Sequence, residues 1–104
     1  MAFRCYRVRR TWPPTINDFL SNAARGSPPR GPERTWPELH SGLSVYLTPE
    51  RAADVARRLP FAQAIGELEI PDDAPVTIRK TLGPGHFTVW GDPDVLLGCV
   101  VREV

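Results

Sequence analysis

The stretch Gly42-Leu43-Ser44-Val45-Tyr46-Leu47-Thr48-Pro49-Glu50-Arg51-Ala52-Ala53 changes its period midway. Leu43 to Leu47 mixes apolar, β-branched and aromatic residues with alternating polarity, the pattern of a strand. Thr48-Pro49-Glu50 then supplies a helix start. A hydroxyl can accept a first-turn N–H, proline suits the first helical position, and an acid sits at the positive end of the helix dipole. Ala52, Ala53, Val55, Ala56 and Leu59 give that helix a buried side, while Arg57 and Arg58 suit its C-terminal end and Pro60 stops it.

Upstream, Phe3 to Arg9 reads as a strand ended by Trp12-Pro13-Pro14, because consecutive prolines cannot continue a central ladder. Thr15 is placed to cap a helix, with Asp18 as its capping-box partner, Ile16, Phe19, Leu20 and Ala23 on one face, and Gly26 as the stop. From Gly26 to Leu39 the pattern dissolves into a Pro/Arg-rich loop, with Trp36 expected to pin its far end. Downstream, strands are expected at Ala64–Ile70, Val76–Thr81, Phe87–Trp90 and Cys99–Val104. Asp92 caps a helical turn through Leu97. The order predicts an α+β fold: one mixed, mostly antiparallel sheet with two main helices, forming a single domain over residues 1–104.

With 104 residues, 41% hydrophobic and 24% charged, the chain has ordinary globular composition and room for one core. Thirteen Lys and Arg against 12 Asp and Glu leave a net charge of +1, which disfavours nucleic acid as a general partner. All of those bases but Lys80 are arginine, a residue that grips carboxylate and phosphate with a two-pronged fork. A GC-rich gene explains the same bias. No apolar run approaches the roughly 18 residues of a membrane span, and the N-terminus lacks the features of a signal peptide. A cytoplasmic location is expected, with Cys5 and Cys99 reduced, buried and inert. Two cysteines without CxxC spacing, plus His40 and His86, make no recognisable metal site.

Several residues can carry chemistry. Phe3, Cys5 and Arg7 share one strand face and Tyr6 and Val8 the other, so Arg7 lies inside or at the rim of a cleft. There it would meet either a diphosphate or a protein carboxylate such as Glu67, Glu69 or Glu103. In His40-Ser41-Gly42-Leu43-Ser44-Val45-Tyr46, Tyr46 can stack on a flat ring, and His40 and Ser44 can bond a ribose or phosphate. The plainer reading is a strand face and a helix cap. Glu67 and Glu69 share a strand face and can orient a ribose hydroxyl or activate a nucleophile; alternating acids also mark a wetted face. His86 reads most simply as a solvent-facing turn residue.

Cys5-Tyr6-Arg7-Val8 resembles the opening strand of the RES-domain family of small NAD-consuming proteins, which have an ADP-ribosyltransferase-like fold. Arg34, Trp36, Gly42, Tyr46-Leu47-Thr48 and Ala52-Ala53 resemble that family's next block. The resemblance covers Cys5–Val8 and Arg34–Ala53. It departs at Thr48, where the family has serine, and at Val55 and Ala56, where the family has a helix acid. The resemblance implies NAD as substrate, with Arg7 on the diphosphate, Tyr46 on nicotinamide, His40 or Ser44 at the ribose and Glu69, or Glu67, as the catalytic acid. No metal is implied. A toxin with an antitoxin partner, or a regulator with a modified target, fits such a transferase. The alternative is a non-enzymatic module that binds a protein through the Pro/Arg/Trp loop, with the oligomeric state open. A third reading, nucleic-acid contact through Arg4, Arg7, Arg9 and Arg10, lacks both charge and motif.

Overall fold

The computed structural model describes residues 2–10, 12–62 and 64–104. Its elements are β1 (Ala2–Arg9), β2 (Leu43–Tyr46), α1 (Pro49–Ala56), β3 (Ala64–Pro71), β4 (Thr77–Lys80), β5 (His86–Trp90), α2 (Pro93–Gly98) and β6 (Val100–Glu103). The strands form one six-stranded sheet in the order β4-β5-β2-β1-β3-β6, and every neighbouring pair is antiparallel. The α+β class with two helices is therefore as the sequence predicts. Both helices begin as expected: the Thr48 hydroxyl accepts Arg51 N–H, and the Asp92 carboxylate accepts Asp94 N–H.

Alternation along the strands sends side chains to two covered faces. On one face Cys5, Val45, Leu68, Ile70 and Val89 pack under Phe19 and Leu96 of α2. On the other, Tyr6, Val8 and Tyr46 pack under Ala52 of α1. Both cysteines are free and buried. Burial, with Cys99 nearby, pushes the Cys5 thiol up to about 12, so the nucleophilic thiolate is suppressed.

The first expected helix does not form. Ile16–Phe19 makes a short 3₁₀ turn and Leu20 is extended. Asp18 Oδ2 does accept Thr15 N–H at 2.9 Å, so the capping signal is real. The turn ends because Ser21 Oγ accepts Ala24 N–H and Asn22 Nδ2 donates to Glu33, which start a separate turn. Polar side chains that bond locally compete with a short helix, which is marginal in any case. Phe19 is 2% exposed but Ile16 is 40% exposed, so only part of the predicted apolar face is used. His86 also departs from expectation. It is buried, with Nδ1 2.8 Å from Thr81 Oγ1 and 3.2 Å from the Thr81 carbonyl.

Candidate functional site

The sheet is not evenly zipped. β1 pairs with β3 along its whole length, from Ala2↔Pro71 to Arg9↔Ala64. With β2 it shares a single pair, Tyr6↔Tyr46. Beyond that pair, the end of β1 and the start of β2 line a cleft of about 370 Å³, within the range of small-molecule sites. Gly42 lets the cleft wall close. A Cβ there would lie 2.3 Å from a Thr88 methyl and 2.9 Å from the Trp90 ring.

Arg7 spans the gap. Its Nε donates to the Asp18 carbonyl and its Nη1 to the Ser44 carbonyl, both at 2.9 Å. The guanidinium also lies 5.9 Å from the centre of the Phe19 ring. Nη2 has no partner among the described residues. Burial lowers the pKa to about 10, so the group keeps its charge at neutral pH. The expected exchange with Glu67, Glu69 or Glu103 is absent among the described ion pairs, and two neutral carbonyls take their place.

Arg9, on the same face, lies 3.8 Å from Asp18 Oδ2 and 5.0 Å from the centre of the Trp12 ring. Its aliphatic stem crosses Gly66, where a Cβ would meet Arg9 Cδ and Nε at 3.2 Å. The Pro/Arg-rich loop forms the next wall. Glu33 accepts Arg30 N–H at 3.1 Å and Asn22 Nδ2–H at 2.9 Å, which holds a 3₁₀ turn at Gly31–Arg34 against the body. Arg25 is fixed by donation to the carbonyls of Asn17 and Leu20. Arg7, Arg9, Arg10, Arg25 and Arg30 thus line a cleft whose acids among the described residues are Asp18 and Glu33. A chain with net charge +1 has gathered its excess positive charge here.

The other lobe lies on the α1 side and is less polar, with Tyr46, Thr88, Leu59, Phe61 and Leu82 on its walls. Arg10 stacks on Phe61, 4.6 Å from the ring centre. Leu82 holds φ 49°, a left-handed conformation that a leucine adopts only at a cost of about 1–2 kcal/mol.

Of the residues singled out by sequence, Arg7, Ser44 and Tyr46 come together in this cleft. Tyr46 is 9% exposed, packed edge-on against His86 with ring centres 5.4 Å apart. Burial raises its hydroxyl pKa, with Arg7 opposing, so Tyr46 offers a neutral phenol and no open ring face. Glu67 and Glu69 are not in the cleft. Tyr6 pairs with Tyr46 on one side and Glu67 on the other, so β1 separates Glu67 from the strand that carries Tyr46. Glu67 accepts Tyr6 O–H at 3.2 Å and faces Arg102 at 3.5 Å, while Glu69 accepts Arg4 Nη2–H at 2.8 Å. His40 is elsewhere too: Nε2 donates to the Ser27 carbonyl at 2.7 Å, and its own carbonyl accepts Ala23 N–H. It ties the loop to the body. Trp36 is half-buried within the loop.

Phe61 is a cleft residue that the sequence reading left unassigned, while Asp18 was read only as a cap and Arg9 and Arg10 only as nucleic-acid contacts. One signal was present. A glycine inside a strand, Gly66 in Ala64–Pro71, marks the close approach of another group, here Arg9. Among the described residues no group of three or more His, Cys, Asp or Glu is placed to hold a metal, and no helix is long and apolar enough to cross a membrane. No family model matches the chain, no curated protein matches it, and no solved structure matches it.

Proposed function

We propose that this protein binds NAD in the cleft between β1 and β2, in the manner of the ADP-ribosyltransferase-like proteins its sequence resembles. One observation carries the reading. Arg7 is a half-buried cation bonded to two neutral carbonyls, with a free edge and no carboxylate in ion-pair contact among the described residues. Even partial burial of a charge without a contacting counter-ion is costly, and an anionic ligand would relieve that cost. The diphosphate supplies the anion for Arg7, with Arg25 and Arg30 beside it. The Ser44 and Tyr46 hydroxyls are then placed for the sugars.

Cleavage of the nicotinamide bond calls for a carboxylate near the ribose to stabilise an oxocarbenium-like centre. Glu67 and Glu69 are held by Tyr6, Arg4 and Arg102 outside the cleft, so binding is the part of the reading that the geometry supports. Calorimetric titration of NAD into the protein tests it. Binding should weaken as salt rises and fall about three- to tenfold in Arg30→Gln, whose side chain makes no ion pair among the described residues. No binding at millimolar NAD would sink the proposal.

A further inference from the structure

The sequence assigns ring recognition to Tyr46, but Tyr46 is buried and edge-packed, so its faces are already covered. The aromatic surface that remains at the cleft is Phe61, in the connection between α1 and β3. It is 37% exposed and lines the cleft beside Leu59 and Leu82. An exposed phenylalanine costs solvation, and here the Arg10 guanidinium lies over the ring, 4.6 Å from its centre. Arg10 is anchored through its backbone: Asp18 Oδ1 accepts its N–H at 3.4 Å. Its side chain makes no ion pair among the described residues, so it can leave the ring without breaking one.

Alternation along β1 places Val8 on the α1 side of the sheet and Arg7 and Arg9 on the other, while Arg10, one residue past the strand, lies over Phe61 in the connection that follows α1. The cleft therefore has an arginine lobe and an apolar, aromatic lobe on opposite sides of the sheet, joined through the gap that Arg7 spans. A ligand that satisfies both must carry a negative charge at one end and a flat, weakly polar ring at the other. A nucleobase linked through a ribose to phosphate has that form.

We propose that Phe61 is the base-stacking platform of this cleft, with Arg10 as a lid that either caps the stacked base or turns toward the phosphate. The assignment rests on the nucleotide-binding reading above and adds a ring subsite to it. Its consequence is a division of labour: Phe61 recognises the base, and the arginine lobe recognises only phosphate.

The test compares AMP with ribose 5-phosphate, which share sugar and phosphate and differ by the base, alongside NAD. Phe61→Leu should weaken AMP and NAD about tenfold while leaving ribose 5-phosphate unchanged. Phe61→Trp should keep or strengthen AMP binding, because a larger ring stacks at least as well. Melting temperatures of both variants should stay near that of the parent, since Phe61 is largely outside the cores. If NAD binds the parent protein but Phe61→Leu leaves AMP affinity intact, or lowers AMP and ribose 5-phosphate equally, the stacking assignment is wrong and the binding cleft stands. If none of the three ligands binds the parent, both fall.

Discussion

Strand β1 carries two arginine clusters that look alike in sequence and differ in electrostatics. Near its start, Arg4 lies beside Glu69 and Glu67, and Arg102 adds a second guanidinium to Glu67. Two cations face two carboxylates, at an edge where the arginines are open to water. Near its end, Arg9 is buried and Arg7 half-buried; the Asp18 side chain lies against Arg9 and not Arg7, and Glu103 acts on Arg9 from further off. The first cluster is electrically closed. In the second, Arg7 bonds two carbonyls and feels the Asp18 carboxylate without touching it, and the cluster opens on a cleft. Position on a strand does not distinguish the two clusters; the carboxylates in direct contact with each guanidinium do.

The largest expected effect comes from breaking the second cluster at its carboxylate. Asp18→Asn leaves Arg9 charged and buried beside a neutral amide and weakens the cap on Thr15 N–H. Loss of one partner of a buried pair should cost about 3 kcal/mol, read as a lower midpoint in urea at unchanged slope. Arg7→Lys comes next. The sequence places Arg7 at a cleft rim, where replacement would spare the fold, but its fork joins Asp18 to Ser44 across the gap. Lysine keeps the charge and loses the fork. Stability should drop by about 1–2 kcal/mol and NAD affinity by roughly tenfold in the same variant. A drop in stability alone would make Arg7 purely structural.

His86 sharpens the comparison because it too has no carboxylate in contact among the described residues, yet it is buried and can shed its charge. Burial lowers its pKa, with Arg51 acting in the same direction and the Thr81 carbonyl against it. The unfolded chain therefore takes up a proton first. Stability should be complete above the unfolded value of about 6.5 and decline as pH falls below it. His86→Gln should flatten that part of the pH profile of the melting temperature. The smallest effect belongs to the closed cluster. Arg4 is exposed, so Arg4→Ala should leave both melting temperature and NAD affinity unchanged within error. A large loss of NAD affinity there would overturn the distinction drawn between the clusters.

Local signals carried most of the architecture. The six strands and two helices were legible because each begins or ends on strong local chemistry: Thr48-Pro49, Asp92-Pro93, the turn glycines and the alternating Leu43–Tyr46 stretch. The Ile16–Ala23 helix was misread because its periodicity was genuine while Ser21 and Asn22 had better partners in three dimensions. The site was only half legible. Arg7, Ser44 and Tyr46 share a cleft as their faces implied. Glu67 and Glu69 were drawn to Arg4, Arg102 and Tyr6 by strand register, which no sequence spacing encodes. Arg30 and Phe61 reach the cleft from two connections whose paths depend on the whole fold.

The single Tyr6↔Tyr46 pair leaves a sheet of two triplets, β4-β5-β2 and β1-β3-β6, each large enough to hold together as a unit. Where cooperative units meet along so short a boundary, opening between them costs less than unravelling either one. Amide hydrogens along the facing ends of β1 and β2 should therefore exchange with solvent faster than those shared by β1 and β3. A ligand lodged between the triplets would act as a stitch. Its binding would slow exchange on both sides of the boundary at once, coupling two halves of the sheet whose strand ladders meet at one pair.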